Sequence, residues 1–132
     1  MTLKVISLIK SLDHVAVTVK DFDKTIDWYV KYLGFSVKRR IERKERGTRL
    51  AFLEVGDQTV LEFLGFIDPG KVIKGPTLKS EETGIKHISF FVDNLEDTCQ
   101  RLRNVGVEVT SFDSKRAVFN DPNGIRIELR IS

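Results

Sequence analysis

The chain has one cysteine, one methionine, one tryptophan and three prolines among its 132 residues. A lone Cys99 excludes an intramolecular disulfide framework and any zinc cage built from several thiolates, so a metal held here takes nitrogen and oxygen donors. Long apolar runs are equally scarce. The one near the start, Val5 to Ile9, falls far short of the ~20 residues a membrane span requires, and it lacks the small-residue cleavage pattern of a signal peptide. These absences predict a cytoplasmic protein with no membrane partner. Charge of one sign is not massed either. The net charge of +3 comes from basic residues interleaved with acids, as in KRRIERKER (Lys38 to Arg46). That stretch reads as a solvated edge strand whose charges discourage sheet-to-sheet pairing, and not as a nucleic-acid surface.

What the chain does have is an internal repeat. LDHVAVTVKDFDKTI (Leu12 to Ile26) lies over IKHISFFVDNLEDTC (Ile85 to Cys99), which sets His14 on His87 and Thr25 on Thr98. A second block aligns at a different offset: RLAFLEVGDQTVLEFL (Arg49 to Leu64) over KRAVFNDPNGIRIELR (Lys115 to Arg130), with Ala51 on Ala117 and Glu62 on Glu128. The chain is thus two copies of one unit.

In each copy the apolar period changes in the same order. Val15, Val17 and Val19 alternate as a strand, after which Phe22, Ile26, Tyr29 and Leu33 recur at helical spacing as far as Gly34. Ile88, Phe90 and Val92 are followed in the same way by Leu95, Cys99, Leu102 and Val105, ending at Gly106. Asp21 and Asn94 are the expected N-caps, and each glycine can take the left-handed conformation that ends a helix. Three further strands follow in each copy: Ser36 to Arg43, Arg49 to Val55 and Thr59 to Leu64, then Val107 to Ser111, Arg116 to Asn120 and Ile125 to Ile131. The prediction is an α+β chain of two tandem βαβββ modules forming one domain. Module one covers about residues 11–66, a Gly/Pro/Lys-rich linker that doubles as a lid covers 67–83, and module two covers 84–132. Leu3 to Ile9 is expected to add an edge strand at a dimer contact.

Strand alternation places i and i+2 on one side. Val15, Val17 and Val19 turn toward the helix, and His14, Ala16 and Thr18 turn away. Likewise His87, Ser89 and Phe91 oppose Ile88, Phe90 and Val92. Glu62 lies on the non-helix face of its strand with Val60 and Leu64, and Glu128 does so with Arg126 and Arg130. The non-helix faces therefore carry two histidines and two glutamates at repeat-equivalent places. Burying an unpaired carboxylate costs several kcal/mol, so something must compensate. Arginines flanking Glu128 offer one answer for a single glutamate. A divalent cation (Zn, Ni, Co, Mn or Fe) bound by His14, Glu62, His87 and Glu128 answers the whole duplicated pattern, with two neutral imidazoles and two carboxylates in an open octahedral set completed by water.

These residues resemble the vicinal oxygen chelate superfamily, which includes glyoxalase I, methylmalonyl-CoA epimerase, extradiol dioxygenases, fosfomycin resistance enzymes and bleomycin-binding proteins. The resemblance runs from Ser11 to Ser132 and is most specific in LDHVAVTVKD, GIKHISFFVDNLE and NDPNGIRIEL. It implies a U-shaped, partly closed sheet around the metal with the helices outside, and ligands on the first and last strand of each module. Dioxygenases and fosfomycin enzymes resemble a two-histidine, one-carboxylate site, whereas a glutamate in the fourth ligand position favours the redox-neutral branch. By that resemblance Glu128 is the base that takes a proton beside a carbonyl, and Glu62 is its symmetric counterpart.

Return of the proton to the neighbouring carbon is glyoxalase I-like lyase/isomerase chemistry; return to the same carbon from the opposite side is epimerisation. EVGDQTVLEFL and GIKHISF also resemble epimerase segments, but the epimerase carries its base on the strand after the glycine equivalent to Gly47, and there this chain has Leu50. Arg49, Arg126, Arg130 and Phe91 are the expected contacts to a small-molecule substrate. A homodimer is the expected assembly, and the site closes either within one chain or between two. A binding or resistance protein without turnover is the reading from another class.

Overall fold

The computed structural model describes residues 6–76 and 78–132. Its order is β1 (Val15–Thr18), α1 (Phe22–Leu33), β2 (Ser36–Arg43), β3 (Thr48–Val55), β4 (Gln58–Phe66), β5 (Ile88–Phe91), α2 (Leu95–Asn104), β6 (Thr110–Asp113), β7 (Arg116–Asn120) and β8 (Arg126–Arg130). The strands form two four-stranded mixed sheets in the orders β1-β4-β3-β2 and β5-β8-β7-β6. β1 runs parallel to β4 and β5 parallel to β8, while the other neighbours are antiparallel hairpin pairs. This is the α+β architecture of two tandem units that the repeat predicts. No helix among the described residues is long and apolar enough to cross a membrane.

Each sheet gains its stability by laying one helix over one face. α1 buries Phe22, Thr25, Ile26 and Tyr29, the three-to-four spacing of one helical stripe. They pack with Val19, Phe35, Ala51, Leu53, Leu61 and Phe63. α2 buries Leu95, Cys99 and Leu102 against Ala117, Phe119, Ile127 and Leu129. Burial of one such Leu, Ile or Phe side chain contributes about 1.5–3 kcal/mol. The two cores meet: Trp28, Leu33, Ile88 and Phe90 pack against both, and the ring of Trp28 lies 6.1 Å from that of Phe119. The helix-side faces of the two modules thus share one interior.

The helix ends differ in detail from their mirror-image sequences. Asn94 accepts a hydrogen bond from the Asp97 N–H at 2.9 Å, but Asp21 makes no side-chain cap. Gly34 (φ 75°) and Gly106 (φ 88°) take the left-handed turn expected of them. β6 begins at Thr110 and not at Val107. Val107 and Val109 are instead drawn onto the second core, and Arg103 donates to the Val109 carbonyl at 3.1 Å. At the start of the chain, Leu3 to Val5 lie outside the described residues and Ile6 to Ile9 belong to no strand.

Candidate metal centre

The parallel pairing of first and last strand builds each half of the site. Ala16 is the register partner of Glu62 and Ser89 that of Glu128, so a histidine two residues upstream of each partner falls on the glutamate's side of the sheet. In module one, His14 Nε2 stands 3.3 Å from Glu62 Oε2. In module two, His87 Nε2 stands 3.8 Å from Glu128 Oε2. In both, the ring nitrogen that faces the carboxylate is Nε2.

The rest of each pair is built differently. His14 Nδ1 is hydrogen-bonded to Asp13, whose carboxylate raises the imidazole's pKa above its ordinary 6.5, more strongly than Glu62 does. A carboxylate on Nδ1 fixes ring orientation and leaves Nε2 as the outward nitrogen, the arrangement commonly found behind metal-ligating histidines. A cavity of about 260 Å³ opens beside His14, lined by Asp13, Lys38, Arg39, Phe52 and Thr59. Glu128 is the more enclosed carboxylate, its side chain 6% exposed against 21% for Glu62. Its Oε1 accepts the Ser89 hydroxyl at 2.9 Å, while Arg130 and Arg116 stand 3.6 and 3.9 Å away.

The two pairs do not meet within one chain. Among the described residues no three His, Cys, Asp or Glu side chains gather in a group able to hold a metal. The physical reason is the shared interior: the modules join through their helix sides, and the His–Glu faces are the opposite sides of the same sheets.

The expected substrate contacts separate. Arg130 shares the Glu128 face, and Phe91, its register partner, is 72% exposed there. Arg126 is exposed on that face. Arg49 is elsewhere: it pairs with Asp23 at 3.2 Å and stacks over the Phe22 ring at 4.7 Å, both on α1. Its strand explains this, since Arg49 alternates with the core residues Ala51 and Leu53. Sequence reasoning missed Asp13, Ser89 as a donor, and Arg116. The last was readable, because Ala117 and Phe119 point into the core and so turn Arg116 to the other side.

A family model described as the Glyoxalase/Bleomycin resistance protein/Dioxygenase superfamily matches residues 11–129. The uncharacterized protein YwkD of Bacillus subtilis is 32% identical over 128 residues, covering 92% of this chain and 97% of that one. The lactoylglutathione lyase of Escherichia coli O157:H7 is 31% identical over 126 residues, covering 88% of each. Among solved structures, the trypanothione-dependent glyoxalase I of Leishmania major superposes with a TM-score of 0.77 at 26% identity, covering 93% of this chain and 87% of that one.

Proposed function

The chain belongs to the glyoxalase/bleomycin resistance protein/dioxygenase superfamily, and on that premise we propose that it is a metal-dependent, glyoxalase I-like lyase or isomerase. Its reaction moves a proton beside the carbonyl of a small hemithioacetal or thioester-type substrate. The observation that carries this reading is the duplicated pair, His14 with Glu62 and His87 with Glu128, each presenting an imidazole Nε2 toward a carboxylate oxygen within 4 Å.

The donor chemistry fits a divalent cation. Each pair supplies one neutral nitrogen and one anionic oxygen, and a half-set of two matches a half-set of two. Since one chain keeps its halves on opposed faces, the four ligands come from two copies: module one of one protomer faces module two of its partner, giving two sites per homodimer. The cation's contribution when bound is Lewis acidity, which stabilises negative charge developing on the substrate's oxygens.

The chain's residues do the rest. Glu128 takes the α-proton on Oε2, while the Ser89 hydroxyl holds Oε1 and keeps the carboxylate aimed as the proton moves. Return of that proton to the neighbouring carbon converts the hemithioacetal into a 2-hydroxyacyl thioester, with no net gain or loss of electrons. The epimerase alternative needs a second base near the start of β3, where Leu50 is apolar and 5% exposed.

The test is to reload the protein with divalent metal and supply methylglyoxal with a panel of small thiols in deuterated water. Formation of a 2-hydroxyacyl thioester, with deuterium entering at its α-carbon, is expected. Binding of the hemithioacetal with neither thioester nor deuterium uptake would make the chain a non-catalytic binder.

A further inference from the structure

One strand of module one breaks its own alternation. In β2, Val37 pairs with Leu53 and Arg39 with Phe52, so Lys38 has no partner across the ladder. A bulge of this kind turns two successive side chains to one side of a sheet. Val37 packs against the first core. Lys38 and Arg39 both line the cavity beside His14, and Arg40 returns to the helix side, where it pairs with Asp23 at 3.2 Å. Without the extra residue, alternation from Val37 would carry Arg39 to the helix side. Module two is built otherwise: the irregularity in β6 falls between Ser111 and Asp113, and the residue opposite Val118 is Thr110. Phe52 and Val118 are counterparts, being the register partners of Glu62 and Glu128. Because module two forms the same sheet with threonine and valine there, the fold requires neither the cation nor the ring.

Arg39 is aimed across the sheet face and not past its edge. Its guanidinium lies 5.4 Å from the centre of the Phe52 ring, and that ring meets His14 edge-on at 6.3 Å. Register sets Arg39, Phe52, Glu62 and Ala16 in one row over the four strands. A cation that serves only to keep an edge strand from pairing extends into solvent; this one covers an aromatic ring beside the His14–Glu62 pair. Among the described residues neither Lys38 nor Arg39 is paired with a carboxylate, whereas Arg40 and Arg49 both hold Asp23. Asp13, the acid of the same cavity, is bonded to His14 Nδ1.

We propose that Lys38 and Arg39 form a receptor for an anionic group, a carboxylate or a phosphate, on the molecule that reacts at the His14–Glu62 half-site. The guanidinium supplies a fork of N–H donors matched to such oxygens, the ammonium adds a second charge, and stacking on Phe52 holds the fork in place. The function proposed above is assumed only in taking the anion to be part of the molecule whose carbonyl is activated there. The row sets the ligand's size. Arg39 and Glu62 are two strands apart, about 10 Å between backbones, and the guanidinium folded over Phe52 shortens that span. The substrate class is then a carbonyl compound, or its thiol adduct, with an anion about 5–10 Å from the reacting carbon.

The experiment is isothermal titration of the full-length protein, freed of metal so that no cation competes for the anion, with malonate in one arm and inorganic phosphate in the other. It uses wild type, Lys38→Gln/Arg39→Thr, Arg39→Thr, Arg39→Lys and Arg40→Gln. Arg39→Thr installs module two's own residue, and as a single exposed change it carries the test if the double variant fails to fold. Arg40→Gln removes a neighbouring charge from the helix side and so controls for net charge alone. The expected result is binding of at least one anion by wild type, weakened tenfold or more by the double variant, only a few-fold by Arg39→Lys, and left unchanged by Arg40→Gln. Preference for malonate or for phosphate identifies the group. Equal affinity in wild type and the Arg39→Thr variants, an equal loss in Arg40→Gln, or no binding of either anion by wild type overturns the receptor. Metal content and deuterium exchange are measured in parallel. If metal uptake is absent but anion binding falls with Lys38 and Arg39, the enzymatic reading fails and the receptor stands. If metal and exchange are present but anion binding is indifferent to these two residues, the receptor alone fails.

Discussion

The hydroxyl of Tyr29, in α1, donates a 2.7 Å hydrogen bond to the carboxylate of Asp121, in the β7–β8 turn of the other module. Asp121 also accepts the Asn123 and Ile125 N–H groups at 2.8 Å each, and Asn123 reaches back to Thr25 and to the Lys20 N–H. This turn is therefore a clasp. It fixes the modules through their helix sides and leaves both His–Glu faces outward.

Removing the hydroxyl tests the clasp. Tyr29→Phe is expected to cost about 1.5–3 kcal/mol, because a buried bond to a charged acceptor is lost while the ring stays. Asp121→Ala should cost more, since two backbone donors also lose their partner. Urea unfolding midpoints measure both; an unchanged midpoint for Tyr29→Phe would show that the clasp contributes nothing.

Alkaline pH gives a second reading of the same bond. Burial first, then the Asp121 charge, pushes the Tyr29 phenol well above its ordinary 10.0. The folded state thus favours the neutral phenol. Its contribution is intact below the unfolded-state pKa and declines as pH climbs past that value, where only the unfolded chain ionises. Stability should fall above pH ~10, with the Tyr29 phenolate absorbing only as the chain unfolds. Tyr29→Phe should flatten that decline. Early, reversible ionisation of Tyr29 in folded protein would contradict the assignment.

Gly65 is predicted to be intolerant for a steric reason. A Cβ there would lie 2.6 Å from Phe22 Cδ2, at the point where α1 starts over β4. Gly65→Ala should destabilise by about 1–3 kcal/mol through displacement of the Phe22 ring. Gly65→Ala combined with Phe22→Leu should recover part of that loss. Thermal melts of the three proteins decide it; a neutral Gly65→Ala would mean that the helix start yields freely.

Much of this architecture was readable from residues alone because duplication supplies two independent readings of each feature. His14 and His87, Glu62 and Glu128, and the glycines after each helix agree across copies, and the period-two and helical stripes give the faces. What alternation does not encode is how strands pair. Parallel pairing of β1 with β4 brings His14 to Glu62, and that contact joins residues far apart in the chain. β6 starts later than alternation predicts, since Val107 and Val109 alternate like a strand but are held by the second core. Charge alone points Arg49 to a substrate, whereas alternation with Ala51 and Leu53 sets it on the helix side, where it meets Asp23 and Phe22. The separation of the two half-sites depends on how modules dock, which the Tyr29–Asp121 clasp sets and no local pattern announces.

The central claim is that a site needs module one from one copy and module two from another. It is tested by mixing two inactive proteins, His14→Ala/Glu62→Gln and His87→Ala/Glu128→Gln, after unfolding and refolding them together with metal. A mixed dimer pairs the intact module one of one chain with the intact module two of the other, giving one working site of two. With half the dimers mixed, about a quarter of wild-type activity and metal content should return. No recovery from mixed dimers that fold and assemble, or full activity in either protein alone, would contradict the account.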